Sequence, residues 1–450
     1  MSFVRNEFQQ ISLADTVNQL TDRERRRLEG TWAKPFAEIV FPAIDESPYE
    51  VLYSSKDSRP NTPVNIIIGA LILKELNGLT DEGIMDALLF DIRYRYALHT
   101  TSFQEQPISD RTLSRFRARC LAWQEQTGED LLHKTMCGLA SVIAQVIDAD
   151  AALLRMDSLM IESNIRKLGR LELIYETERK ALKAASAVGT AIPDDLMHYL
   201  RKDDRSRRFY HGDEPKETVL ADAERILALC PDSSAEKQLV ERVLQEQTEV
   251  NDSGTCVLRS AGSPELNSHC LQSPHDPDAA FRHKAKSDHH GYAANVVEAV
   301  GPYTSTVLDY QYEQNTFSDS RFLKEFLEDT GPQEQKTVLV ADGGYSGSCS
   351  RTLAAENNIC LITTNMTGKP TEEYLNFRKT GKFKKYSAFR NGVETIPSIL
   401  RRKYHIDRMP VRGKLRTAFW FGCKITALNV NKLCIHLRCL NRHAQTEKIG

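Results

Sequence analysis

The chain has no apolar run approaching the ~18–20 uninterrupted residues that a membrane-spanning helix needs. Its first residues, MSFVRNEFQQ, hold no apolar signal core, so a cytoplasmic location without a membrane partner is the default expectation. Cysteine occurs 10 times but never as CxxC, which reads as reduced, structural thiols. Neither GxGxxG nor a Walker lysine accompanies the glycine-rich GGYSG turn at 343–347, which excludes a nucleotide-phosphate loop there. Net charge is scarce too. The 59 Lys+Arg against 61 Asp+Glu leave −2, which on its face argues against a strongly basic nucleic-acid binder.

What is present is an ordinary globular composition, 41% hydrophobic and 27% charged, over 450 residues, enough for two or three domains. The charge is unevenly spread. Residues 366–420 carry 14 Lys/Arg against 4 Asp/Glu, a local net of +10, while the middle of the chain is acidic and helical. The near-zero total is therefore a cancellation, and local charge is the better guide to partners.

The N-terminal part reads as all-α. VNIIIGALILKEL has helical apolar spacing, and GLTDEGIMDALLF opens with a Thr80/Asp81 cap signal. SDRTLSRFRARCLAWQEQ, with Ser109 or Asp110 as its cap, carries Arg111, Arg115, Arg117 and Arg119. Three short helices with a basic third one suggest a helix-turn-helix type unit over 1–135 that contacts DNA through Arg111, Arg115 and Arg117.

The remainder reads as α/β over 145–430, interrupted by a charged helical insertion at 165–285 and followed by a tail at 431–450. VIDADAALLRMDSLMI is expected to be a strand with Asp157 at or near its end, and the polar stretch 251–288 a loop. GYAANVVEAV and STVLDYQYEQ, joined by GPYT, form a hairpin. Then DSRFLKEFLED is a helix, KTVLVAD a buried strand, SCSRTLAAEN a helix and ICLITT a strand.

Two acids stand where open α/β sheets bind ligands, Asp157 after LLRM and Asp342 after VLVA. A strand-terminal carboxylate is costly unless solvated, paired or bound to a cation, and Mg²⁺ prefers one or two carboxylates with water and phosphate oxygens. The third candidate is Glu394 in RNGVETIPSILRRKYH, with Arg390 one turn before it and Arg401 and Arg402 two turns after. The plain reading of Arg390 and Glu394 is a surface i,i+4 ion pair. The basic surroundings favour metal and phosphate instead. A small-phosphate-ester hydrolase fits poorly, because Asp157 is followed by Ser158 and Leu159 and lacks a second acid two residues on.

These residues resemble a known family. SRPNTPVNIIIGALILKELNGLTDEGIMDALLFDIRYRYALHT with ISDRTLSRFRARC, RMDSLMIESNIRKLGRLELIYE, HDPDAAFRHK with HHGYAANVVEAV, NTFSDSRFL with VADGGYSG, and RNGVETIPSILRRKYHIDRMPVRGKLRTAFWFGCKITALNVNKL are similar, in that order, to DDE transposases of bacterial insertion sequences. The likeness is close to the IS1182 group within the wider IS4/IS5-like assemblage. The resemblance implies a ribonuclease-H-like core, α/β with a mixed sheet and flanking helices, behind an all-α N-terminal domain and with the helical segment inserted after the first strand. It implies a DDE triad of Asp157, Asp342 and Glu394 holding two Mg²⁺ ions, with Mn²⁺ as a substitute. It also implies double-stranded DNA as partner, metal-dependent cleavage and strand transfer at terminal inverted repeats, and a homodimer that pairs two DNA ends. Arg390, Arg401 and Arg402 would neutralise phosphates near the cut, and Lys382, Lys384 and Lys385 would track the backbone. The family's Tyr-x2-Arg-x3-Glu-x6-Lys pattern is kept at Arg390 and Glu394. It departs at Ser387, with Tyr386 one residue off, and at Arg401, which replaces the lysine. A non-transposing nuclease of the same core and an inactive DNA-binding relative are the alternatives.

Other conspicuous residues have plain readings. Cys434, His436, Cys439 and His443 are drawn more simply as a buried helix or strand than as a zinc site. Trp420 reads as core, His289 and His290 as hydrogen-bonded or solvated, Asp276 and Asp278 as turn residues, and Asp319 as a helix N-cap.

Overall fold

The computed structural model describes the chain except residues 7–14, 57, 102–107, 213–214, 285, 366–368 and 448–450. Its centre is a six-stranded mixed sheet. The strands, in chain order, are β1 (Leu153–Glu162), a small separate hairpin of β2 (Thr248–Val250) and β3 (Cys256–Leu258), then β4 (Ala280–Lys284), β5 (Ser287–Val300), β6 (Ser305–Gln314), β7 (Thr337–Ala341) and β8 (Ile359–Thr363). Strand β5 pairs antiparallel with β1 on one side, and with β4 and then β6 on the other. Parallel β7 and β8 extend the sheet beyond β1. The hairpin and the two following β-α-β units appear as their periodicity predicted.

Three expectations are corrected. The first strand starts at Leu153, because the Leu131–Val146 helix and a turn take up the residues before it. The stretch 251–288 is not a plain loop. It holds β3 and β4, and β4 joins the main sheet by pairing Phe281 with His290 on β5. Position 431 falls inside an unbroken helix, Lys414–Glu447, so no separate tail begins there. The polar-looking 280–284 segment gave no alternation signal because only its first residue is buried.

Alternation along β1 sends its residues to two different layers. Leu154 and Met156 pack with Leu323, Phe326, Leu327 and Ala354 of the helices Asp319–Thr330 and Ser348–Glu356. Leu159 and Ile161 face the opposite side, where they share one continuous core with the N-terminal helices and the Lys414–Glu447 helix. That long helix packs on Val64–Asn77, on Leu131–Val146 and on β6, so it ties the helical N-terminal part to the sheet. Residues 170–247, by contrast, form helices around their own apolar cluster, including Tyr175, Tyr199, Ile226 and Val243.

Local chemistry explains the helix starts near the site. Thr80 accepts from the Gly83 amide at 2.9 Å, as its cap signal predicted. Ser109 exchanges hydrogen bonds with Thr112 at the head of Asp110–Thr127; the side chain of the alternative cap, Asp110, lies outside the described residues. Ser318, not Asp319, caps Asp319–Thr330, accepting from the Arg321 amide at 3.3 Å. Asp319 sits in the first turn with its side chain free to point elsewhere.

A buried charge triad links the layers. Glu298 on β5, fully buried, accepts from Arg155 Nε at 2.5 Å and from Lys432 Nζ at 2.8 Å. Burial pushes the Glu298 carboxyl up, but Lys432 and Arg155 override it and hold it below its ordinary value. The free edge of the same Arg155 donates to the Phe389 carbonyl at 2.8 Å. The long helix is thereby wired through the sheet to the segment that carries Glu394.

Candidate active site

The sequence placed Asp157 at or near the end of its strand, but it lies mid-strand in Leu153–Glu162. The neighbouring strand stops instead. Parallel pairing of β1 with β7 covers Leu153–Arg155, with Arg155 opposite Val340, and two residues on the same register sets Asp342 beside Asp157. Asp342 follows the last residue of β7 and accepts from the Gly344 amide at 2.8 Å, so the GGYSG turn fixes its rotamer.

The third acid arrives on a separate element. The Gly381–Asn391 helix ends in a single 3-10 turn, Gly392–Glu394, from which Thr395–Tyr404 departs. The turn lies directly on Arg155. A Cβ on Gly392 would stand 2.1 Å from Arg155 Nη1, so any larger residue requires the Arg155 guanidinium, held by Glu298 and the Phe389 carbonyl, to shift. Glu394 is thus presented on a short bend, with 62% of its side chain exposed.

One guanidinium joins the three carboxylates. Arg390 Nη2 is 3.2 Å from Asp157 Oδ1 and 3.8 Å from Asp342 Oδ2, which puts those oxygens at most about 7 Å apart. Its Nη1 donates to Glu394 Oε1 at 2.6 Å. The Arg390–Glu394 bond is present, yet the arginine is not a surface residue: it is largely buried between the acids. Burial pushes the Asp157 carboxyl up to about 6, with Asp342 adding to the rise and Arg390 opposing it. Arg390 thus lies between the three carboxylates and offsets their mutual repulsion.

A fourth acid stands behind the three and was misread as a cap. Asp319 Oδ1 accepts from the Ser158 hydroxyl at 2.7 Å, the residue next to Asp157. A Cβ on Gly344 would meet Asp319 Oδ2 at 2.3 Å and Asp342 Oδ1 at 3.1 Å, so this glycine lets the two carboxylates approach each other. Beneath them the buried Tyr345 hydroxyl donates to Asn295 Oδ1 at 2.7 Å. No local signal could have found Asp319, since the strand crossover from β6 to β7 alone brings its helix to β1.

The basic residues fall into two groups. Lys382, Lys384, Lys385 and Arg402 are exposed, as are Arg111 and Arg115 on the N-terminal helix. Arg401 donates to the Met160 carbonyl at 2.8 Å and to Asp407 at 3.1 Å, clamping the Thr395–Tyr404 helix to β1. Arg117 is displaced from its expected DNA role. It is buried against Asp81 and lies 4.6 Å over the Trp420 ring, an inward brace that its helical spacing from Leu113 and Phe116 already placed on the apolar side. Trp420 is core, as expected.

The other conspicuous residues divide. His289 and His290 are hydrogen-bonded to Glu162 at 2.7 Å and Gln272 at 2.9 Å. Asp276 is more than a turn residue. Fully buried, it accepts from Ser163, from Tyr292 at 2.5 Å and from the Gly413 amide at 3.1 Å. Cys434, His436, Cys439 and His443 all lie on the one uninterrupted C-terminal helix.

Comparison with known families matches residues 19–119 to the family described as Transposase domain (DUF772), and residues 266–430 to that described as Transposase DDE domain. The chain belongs to the DDE transposases of insertion sequences. It is an enzyme of the polynucleotidyl transferase and endonuclease kind, and enzymes of this family act on DNA with divalent metal ions. The DDE match in this transposase contains Asp342 and Glu394, whereas Asp157 and the helices after it lie outside both matches. Comparisons with curated proteins and with solved structures each found no match. Among the described residues no helix of the transposase is long and apolar enough to cross a membrane.

Proposed function

We propose that this transposase, of the IS1182-like arrangement, binds the terminal inverted repeats of its element and catalyses both cleavage and strand transfer of DNA. The observation that carries the reading is Arg390 bonded at once to Asp157 and Glu394 and within 3.8 Å of Asp342. Three acids from distant parts of the chain, gathered around one positive group, fit the donor set of hard divalent cations. Support for a ribonuclease-H-like core comes from the three parallel strands, the antiparallel hairpin and the helices on both faces. In this reading residues 1–135 engage DNA, 145–430 carry the chemistry, and the insertion follows β1.

Asp157, Asp342 and Glu394 would hold the ions, Mg²⁺ with Mn²⁺ as a substitute, which when bound supply charge stabilisation at the attacking and leaving oxygens of a phosphodiester. The protein's own part is positioning. Asp342 is held by the Gly344 amide and Glu394 by the bend over Arg155, so both present fixed carboxylates. Ser158 and Asp319 brace the strand on the far side of Asp157. Arg390 balances the acids until an ion loads and then serves a phosphate, while Lys382, Lys384, Lys385 and Arg402 follow the DNA backbone. Pairing of two element ends calls for a homodimer, and a cytoplasmic setting suits a DNA substrate.

The test is labelled DNA carrying the element's ends, incubated with the protein and Mg²⁺ beside Asp342→Asn and Glu394→Gln. Wild type is expected to cut and join, and both variants to bind without cutting. Specific binding by wild type with neither cutting nor joining would sink the reading; cutting without joining would leave a nuclease.

A further inference from the structure

A second cluster of metal-type ligands lies away from the carboxylates, at the seam between the helical N-terminal part and the sheet. His133 and Cys137 are one turn apart on the Leu131–Val146 helix and so share a face, and Asp309 on β6 points at both. His133 Nε2 is 2.9 Å from Asp309 Oδ1; Cys137 Sγ is 3.4 Å from that oxygen and 3.5 Å from the same Nε2. The Tyr310 carbonyl oxygen is a further 3.0 Å neighbour of Nε2.

Nε2 therefore faces a carboxylate, a carbonyl and a sulfur, although a ring nitrogen carries at most one proton. The ring proton serves one of them and the Cys137 thiol donates to Asp309. One ligand atom from each of His133, Cys137 and Asp309 lies within 4.8 Å of the other two, close enough for a single cation to bond all three. We propose that His133, Cys137 and Asp309 form a zinc site that pins the Leu131–Val146 helix to β6.

The ligand chemistry selects the metal. An imidazole, a thiolate and a carboxylate suit Zn²⁺ rather than Mg²⁺, which takes oxygen ligands. Zinc bond lengths of about 2.0–2.3 Å in a tetrahedron require ligand atoms roughly 3.4–3.6 Å apart. Both sulfur edges already have that length, and the His133–Asp309 edge needs to open by only about 0.5 Å. About a third of each of the His133 and Asp309 side chains is exposed, so the fourth position is open to water. On binding, Zn²⁺ displaces the Cys137 thiol proton and the proton on His133 Nε2, both of which leave to solvent, and coordinates thiolate and neutral imidazole; no redox change is involved. The site bridges the helix that precedes β1 to a strand of the catalytic sheet.

The test uses full-length protein freed of metal by chelation and titrated with Co²⁺. The expected result is a sulfur-to-cobalt charge-transfer band with the intense visible bands of a tetrahedral ion, both saturating at one equivalent of sulfur-ligated Co²⁺ and displaced by Zn²⁺. The band should persist in Asp157→Asn/Asp342→Asn and vanish in Cys137→Ser. Since the carboxylate triad has no sulfur, failure here is distinguishable from failure of the transposase reading. Asp309→Asn, which keeps the thiol, should bind Co²⁺ more weakly and lose the tetrahedral spectrum, and it serves if Cys137→Ser does not fold. No charge-transfer band in wild type, or a band that survives in Cys137→Ser, overturns the site.

Discussion

Arg390 Nη2 lies 3.2 Å from Asp157 Oδ1, although 233 residues separate the two in sequence. The arginine holds together acids that would otherwise repel one another. Replacing it with alanine should therefore lower the melting temperature of the metal-free protein, and added Mg²⁺ should restore more stability to the variant than it adds to wild type. Thermal melts with and without Mg²⁺ read this directly. Equal metal shifts in the two proteins would mean that Arg390 and the ions do not share a place.

Asp157 carries the opposite expectation. Its carboxyl is pushed up to about 6 from 3.8, so near neutral pH the folded state holds a charge that the unfolded chain accommodates more easily. Asp157→Asn should stabilise the metal-free protein by on the order of 1–3 kcal/mol while abolishing DNA cleavage. A destabilised Asn variant would show that the Arg390 bond outweighs burial.

Gly392 marks a close approach to Arg155. Gly392→Ala places a methyl against Arg155, and displacement of the bend should cost roughly 1–3 kcal/mol and shift Glu394. Cleavage should fall further than DNA binding, as measured on one substrate under one salt condition. Unchanged cleavage would show that the bend does not set the position of Glu394.

Glu298 predicts an acid limb in stability. Its folded-state value is below 4.5, so the stability it contributes is complete above that pH and is lost as pH falls through the lowered value. Melts from neutral pH downward should show this loss in wild type and a shallower one in Glu298→Gln. Glu298→Ala should cost about 3–5 kcal/mol at neutral pH, because Arg155 and Lys432 remain buried.

The two kinds of arginine on Asp110–Thr127 should separate in a salt titration. Arg111→Ala with Arg115→Ala should weaken DNA binding and flatten its salt dependence by up to about two phosphate contacts. Arg117→Ala should instead destabilise the fold, since it strips Asp81 and Trp420 of a partner. A reduced salt slope in the Arg117 variant would show that it reaches DNA after all.

Much of this was legible without coordinates, and the reasons are local. Short continuous apolar runs such as TVLVA and ICLIT, and the two runs flanking GPYT, specify strands because runs of that length suit a sheet covered by other layers. Asp342 and Glu394 stood out because a carboxylate after an apolar strand and an acid amid arginines each need an explanation. Local pattern also misled. Asp319 looked like a cap because it begins a helix, Arg117 looked like a phosphate ligand because its neighbours are basic, and β4 looked like a loop because its outer residues are exposed.

The sequence by itself determined most of the element types, though not β4 or the start of β1, together with the basic segment around Glu394 and the three acids, since periodicity, caps and charge act over a few residues. Only the tertiary structure decided which groups meet. The end of β7 beside a longer β1 sets Asp342 next to Asp157, and the crossover into Asp319–Thr330 brings a fourth acid behind them. The close contact of Gly392 with Arg155 delivers Glu394. Those relations come from strand lengths, sheet register and packing between segments hundreds of residues apart, and no local pattern encodes them.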